Sequence, residues 1–344
     1  MTTASKTSAA GGPLDADRPD GVRLTVSEAN EIGSRALGKL GFSDDDTQII
    51  MGQLIDNALC GYRFTSLPRI LAIAEFEKFE DNRKPMRVIH ETPVSALIDG
   101  GNNVGYVTVY RGMEIAVAKA RQSGIATVGI HNSYYSGRLA YFVERVTEAG
   151  FVAIHTSCGK PRTLPPGAAR PAMGTNPICF GFPTTKYPYI MDMGTAAFMW
   201  GELMLHAHLG QPIPEGIGYD AKGHATTDAA AALLGGVVPF GGHKGFGLSL
   251  VMQSFGVLSG ARLTRGQVQD FGFFFVVVDP KVLIPDGSFP EQMTELITKI
   301  KATPRQPGVD EIRIPSERSF RERDQRRVEG IIVDKKVVDS LNAL

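Results

Sequence analysis

Pro239-Phe240-Gly241-Gly242-His243-Lys244-Gly245-Phe246-Gly247-Leu248-Ser249-Leu250 is the most informative stretch of the chain. Four glycines and a lysine lead into an apolar run, Phe246, Leu248, Leu250, Val251, Phe255, Val257 and Leu258, that stops at Ser259-Gly260. The run predicts a buried helix that opens near Gly242. A helix start presents free N–H groups and a positive dipole end, glycines let a bulky anion come close, and a lysine neutralises it. Two readings follow: a place to hold phosphate, or a glycine-rich turn feeding a core helix.

Composition narrows the class. The 344 residues, 43% hydrophobic and 21% charged, suffice for two domains or one elaborated domain. With 36 basic and 36 acidic residues and no basic run, the chain lacks the charge pattern of a nucleic-acid binder or a membrane-surface protein. No apolar run approaches the length of a membrane span. Cys60, Cys158 and Cys179 are an odd number without metal-type pairing, so reduced thiols and a cytoplasmic location are expected. Residues 1–20 are rich in Ala, Ser, Thr, Gly and Asp with no apolar segment, which reads as a disordered tail and not as a signal peptide.

Periodicity gives an α/β organisation. Thr25-Val26-Ser27-Glu28 is a capping box for a helix to about Leu40, and Ser43-Asp44-Asp45-Asp46 caps a second with Ile50, Leu54 and Ala58 inside. A third helix is expected over Pro68 to Phe79. Beyond Asn103 the pattern alternates: a helix around Met113 to Ser123, a strand Ala126 to Ile130, a helix Gly137 to Ala149 and a strand Phe151 to His155. Further strands are expected at Ile178 to Phe182, Tyr189 to Asp192 and Phe273 to Val278, the last a continuous apolar run suited to a sheet centre. No Gly-x-Gly-x-x-Gly follows a strand, and no P-loop, zinc-type His/Cys cluster or Gly-x-Ser-x-Gly is present. Spacing alone therefore says only that a phosphate-bearing ligand could sit near Lys244.

Four blocks in order carry a resemblance: Met173-Gly174-Thr175-Asn176-Pro177; Ile190-Met191-Asp192-Met193-Gly194-Thr195; Ile213-Pro214-Glu215-Gly216 with Thr226-Thr227-Asp228; and Gly241 to Leu248. They resemble the malate/L-lactate dehydrogenase family that lacks a Rossmann domain, a group that includes ureidoglycolate and 2,3-diketogulonate dehydrogenases and Δ1-piperideine-2-carboxylate reductases. The resemblance implies that family's own α/β nucleotide fold, over 103–299, with a helical substrate domain from both chain ends, 21–102 plus 300–344. It also implies NADPH or NADH as cofactor, a homodimer, and no metal. Asp192, Met193 and Gly194 match the family's cofactor segment at a strand end, His243 and Lys244 its phosphate or ribose contact, and Ser316, Glu317 and Arg318 a further cofactor turn. Arg138, Arg318 and Lys244 are alternative partners for a 2′-phosphate, so the choice between NADH and NADPH stays open.

The catalytic blocks depart from that family. Its Asp-Ser-His-Gly segment aligns here with Arg63-Phe64-Thr65-Ser66, so Thr65 stands for the histidine, while Arg69 matches the motif's arginine and suits a substrate carboxylate. Its Asn-Ser-Asn-His-Phe-Gly becomes Asn132-Ser133-Tyr134-Tyr135-Ser136-Gly137, so Tyr135 replaces the second histidine, the proton donor in some members. Reducing a 2-oxo acid needs a proton on the developing alkoxide, a contribution of ~10²–10⁴-fold. Threonine cannot give it; a tyrosine beside a cation or relay can. A protonated cyclic imine needs none. The expected activity is hydride transfer between NAD(P)H and a small 2-oxo or cyclic 2-imino carboxylate, with Tyr135, Thr65 and Arg69 in the substrate site. The alternative is a nucleotide-binding member without hydride transfer, a lyase or a non-catalytic protein.

Overall fold

The computed structural model describes residues 20–344 apart from 77–78, 80–82, 265–266 and 269–270. The expected tail over 1–20 lies, but for Asp20, outside the described residues. The chain opens with β1 (Gly21–Leu24), α1 (Val26–Lys39), α2 (Asp44–Leu59) and α3 (Pro68–Ala74). Strands β2 (Arg87–Thr92) and β3 (Ser95–Val104) lead into α4 (Gly105–Ser123), β4 (Ile125–Tyr134), α5 (Leu139–Glu148) and β5 (Val152–Cys158). After β6 (Ile178–Phe182) and β7 (Tyr189–Met193) come α6 (Trp200–Leu209), β8 (Gly218–Tyr219), β9 (Ala225–Thr226), α7 (Ala229–Leu234), β10 (Gly236–Val237) and α8 (His243–Leu258). The short β11 (Leu263–Thr264) and β12 (Gln267–Val268) precede β13 (Gly272–Val278), α9 (Phe289–Lys301), α10 (Glu317–Glu329), β14 (Ile331–Asp334) and α11 (Lys335–Ala343).

The described residues fall into two compact units, one within 1–76 and 318–344 and the other within 77–317. The first is helical and closes the two chain ends on each other through the antiparallel pair β1 and β14, Leu24 opposite Ile331. The capping box predicted at Thr25 forms, with Glu28 N donating to Thr25 Oγ1 and Thr25 N to the Glu28 carboxylate. Its interior is built from Ala36 and Leu37 of α1, Ile50, Met51 and Leu54 of α2, and Ile70 and Ile73 of α3. Helix α3 stops at Ala74, short of the expected Phe79.

The second unit is organised on a seven-stranded mixed sheet in the order β2-β3-β4-β13-β5-β6-β7, in which only β3 and β4 run parallel. The apolar run Gly272–Val278 occupies its centre, as the sequence predicts. Alternation along β13 assigns the two faces. Phe274 stacks on Phe255 of α8, whereas Phe275 stacks on His155, which in turn meets Phe142 of α5 edge-on. Strands β2 and β3 are hydrogen-bonded into this sheet, and Thr294 of α9 bonds Thr185 in the turn between β6 and β7. The α/β unit therefore begins before β2 and runs past α9, wider than the expected 103–299.

Helix α8 forms over the predicted run but inverts its expected burial. Gly245, Ser249, Met252, Gln253 and Gly256 face inward, while Leu250, Val251, Val257 and Leu258 are exposed. The reason is close approach. A Cβ on Gly256 would strike the Cys158 sulfur of β5, so only the small side of the helix can lie this near the sheet.

His155 is fully buried, with Nδ1–H donating to Phe274 O at 3.1 Å, and burial pushes its pKa from 6.5 down to about 3. The folded state thus refuses a proton that the unfolded chain accepts. Stability is present above pH 6.5 and is lost as pH falls toward 3, at a limiting slope of about 1.4 kcal/mol per pH unit. Urea midpoints measured from pH 7 to pH 4 should fall more steeply for the native protein than for His155→Phe; parallel curves would contradict the assignment.

Candidate functional site

Backbone hydrogen bonds assemble the separated sequence blocks within the second unit. Thr195, just beyond β7, donates its N–H and its hydroxyl to Thr175 O at 2.8 and 3.0 Å. Its own carbonyl accepts the Phe240 N–H at 3.0 Å, beside the bridge between Ala196 and Pro239. Asn176 adds a buried side-chain tie: its Nδ2 donates to Ser249 O at 3.0 Å and lies 3.2 Å from Ser249 Oγ and Gln253 Oε1, all on α8. Asn176 holds φ +37, a left-handed conformation that asparagine tolerates better than most residues. Its neighbour Thr175 thus fixes the end of β7 while Asn176 fixes α8. Neither was singled out from sequence, although the Met173–Pro177 block containing them was.

The glycine loop divides by role. Gly241 and Gly242 sit at φ +57 and +62, and a Cβ on either would meet nothing within 4 Å. Gly245 is structural, since a Cβ there would strike Phe240 O. Gly247, inside α8, is exposed and again faces open space. His243 and Lys244 stand exposed in the first turn, next to the helix's unpaired N–H groups. Open space at three glycines, a cation and a positive helix end together fit a dinucleotide's phosphate-bearing half.

Other predicted cofactor residues lie around β7. At Gly194 a Cβ would come within 2.6 Å of the Met199 Sδ, a flexible side chain that is exposed and can move aside. Met193 ends the strand opposite Ile178. Asp192 Oδ2 accepts the Ala140 N–H at 2.8 Å, at the start of α5; burial raises its pKa, against which the Ala140 amide, Arg138 and the Leu139 amide act. Ser316, at φ +69, donates its hydroxyl to Ile190 O at 2.9 Å and so docks the 314–317 turn on β7. The Glu317 carboxylate is engaged by Lys301 Nζ at 2.6 and 2.7 Å and by the Ile314 N–H at 3.1 Å. That is an anchoring role for the turn.

Tyr135 follows β4 in a left-handed conformation, φ +50, with its ring edge-on to Tyr134 and Phe271 at 5.8 and 5.9 Å. It is half-buried. A bulky residue held at positive φ is strained, and such strain persists where the surroundings over-determine it.

Thr65, Arg69 and Arg318 belong to the helical unit. The Thr65 hydroxyl donates to Tyr62 O at 3.3 Å, and its carbonyl accepts from buried Asn57 at 2.8 Å, so the residue closes its own turn. Half-buried Arg69, in the first turn of α3, lies over the Phe64 ring at 4.9 Å. Arg318 pairs with Glu322 at 2.7 Å and covers the Tyr62 ring, whose hydroxyl is 3.0 Å from Ser319 Oγ. Gly61, at φ +84, has no room for a Cβ beside Glu322.

Residues 24–342 match the family model of malate/L-lactate dehydrogenase. The malate/(S)-sulfolactate dehydrogenase of Methanothermus fervidus is 31% identical over 332 residues, 93% of this chain and 96% of that one. A Δ1-pyrroline-2-carboxylate/Δ1-piperideine-2-carboxylate reductase of Pseudomonas putida is 34% identical over 263 residues, 72% of this chain and 74% of that one. Malate dehydrogenase from Pyrococcus horikoshii superposes with a TM-score of 0.85 at 29% identity, over 97% of this chain and 96% of that one. The chain belongs to the malate/L-lactate dehydrogenase family. Among the described residues no helix is long and apolar enough to cross a membrane.

Gly247 provides the sharpest check of the loop. Alanine is the better helix former by about 1 kcal/mol and meets no neighbour there, so Gly247→Ala should leave the unliganded protein as stable or more so. Dinucleotide affinity, titrated by fluorescence, should fall at least tenfold. An unchanged affinity would show that the open side of the loop faces no ligand.

Proposed function

We propose that the protein reduces a small 2-oxo or cyclic 2-imino carboxylate with NADPH or NADH. The observation that carries this reading is the convergence of the Gly241–Gly247 loop and the end of β7, joined through Thr195, on one open, cationic helix start. The nicotinamide, when bound, supplies the hydride. Gly241, Gly242, Gly247 and Lys244 hold the phosphates, and Met193 and Gly194, at the end of β7, lie along the cofactor. Arg69, its guanidinium already oriented over Phe64, pairs with the substrate carboxylate.

Tyr135 then decides the substrate class. A ketone accepts hydride at carbon and a proton at oxygen, and the Tyr135 phenol is the donor proposed for it. A protonated cyclic imine arrives with its proton and accepts hydride alone. The Thr65 hydroxyl, spent on Tyr62 O, supports neither a relay nor a second acid. The relatives span both chemistries, malate and sulfolactate on one side and pyrroline- and piperideine-carboxylates on the other.

A panel of 2-oxo acids and cyclic imino acids assayed with each dinucleotide tests the reading. Tyr135→Phe should lower kcat for oxo acids by ~10²-fold and leave imine reduction nearly intact. Arg69→Lys should raise KM for either class, since an ammonium cannot reproduce a bidentate pair. A native protein that binds dinucleotide yet reduces neither class would make it a non-redox member of the family.

We propose further that the working form is a homodimer. The exposed stripe Leu250, Val251, Val257 and Leu258 on α8 supports this, because an apolar helix face of this kind needs cover, and the resemblance names a second copy. Sedimentation should give a dimer that Leu250→Asp combined with Leu258→Asp converts to monomer; a monomeric native protein would contradict it.

A further inference from the structure

We infer that Asp192 is a positioning residue that locks the Tyr135–Arg138 loop to the cofactor strand, a role that rests on the proposed donor function of Tyr135. Helix α5 begins without a side-chain cap of its own and with no acidic residue in its first turn. Its N-terminal amides therefore need an acceptor from elsewhere. Asp192, 52 positions along the chain on β7, supplies it: Oδ2 takes the Ala140 N–H at 2.8 Å, and the Leu139 amide also stabilises the carboxylate.

The loop that this bond terminates is strained. Tyr135 at φ +50 and Gly137 at φ +75 both lie in the left-handed region within three residues. Its upstream end is fixed where Tyr134 pairs with Val104 of β3, and the start of α4 packs closely against it, since a Cβ on Gly105 would sit 3.0 Å from Tyr134 O, Tyr135 C and Ser136 N. Its downstream end is held by Asp192. The Tyr135 backbone thus sits between two fixed points, and one of them is the strand that ends at Met193 and leads into Gly194.

What the contact requires is an acceptor oxygen. Burial raises the pKa of the carboxylate, against which the two amides and Arg138 act, and the Cys179 thiol, paired with Asp192 across β6 and β7, is itself pushed upward by burial and by that carboxylate. An acceptor aimed at the free amides of a helix start serves them whether or not it carries a charge.

Hydrogen exchange of the full-length protein without cofactor, followed at the Leu139 and Ala140 amides, separates this role from direct cofactor contact. In Asp192→Ala, exchange there should quicken about tenfold or more, kcat for the best oxo acid should fall by a similar factor, and dinucleotide Kd should move less than threefold. Asp192→Asn, which keeps an acceptor oxygen, should restore most of the protection and guards against a misfolded alanine variant. In a Tyr135→Phe background, Asp192→Ala should cause no further loss of kcat. Unchanged exchange in Asp192→Ala overturns the inference, as does lost protection with full kcat, or a collapse of Kd with protection intact. Full activity of Tyr135→Phe alone defeats the donor reading separately, without touching the exchange result.

Discussion

The backbone of Thr195 is the junction on which the glycine-loop end of the α/β unit depends. Its N–H is spent on Thr175 and its carbonyl on Phe240, so three loops from distant parts of the chain share one residue. Buried backbone groups have to be paired. Satisfying Thr195 in this way leaves no freedom in where the glycine loop meets the strand end. Asn176 repeats the logic one residue on by tying the same segment to the middle of α8. The helix start is thus aimed by hydrogen bonds made well behind it, and its exposed face stays clear for a ligand.

Much of this was legible in sequence. The capping box at Thr25, the central apolar strand and the glycine-opened helix are local signals whose physics does not require tertiary context. The burial of α8 was not legible, because its apolar side chains outnumber the inward ones. What decides its face is the near-contact of Gly256 with Cys158, a fact of packing with no pattern of its own. The start of the α/β unit carries little pattern for a similar reason: β2 is exposed over most of its length and takes its place in the sheet by pairing with β3.

Among the site residues, position along the chain marks out the blocks but does not say what each side chain touches. Glu317 reads as a cofactor contact and stands in the structure as the partner of Lys301. Asp192 reads likewise and caps α5. In both cases a carboxylate serves a backbone or a cation inside the fold, and no motif distinguishes that from ligand contact. Thr65 and Tyr135, by contrast, were conspicuous as replacements. One now closes its own turn and the other is held in strained backbone at the end of β4.

The proposed dinucleotide site stands or falls with the junction around Thr195. Calorimetric titration of the native protein with NADPH and with NADH should show saturable binding of at least one of them, weakened by added inorganic phosphate or pyrophosphate, which compete for the same helix start. Absence of heat and of competition with both dinucleotides, in protein shown to be folded, would contradict it.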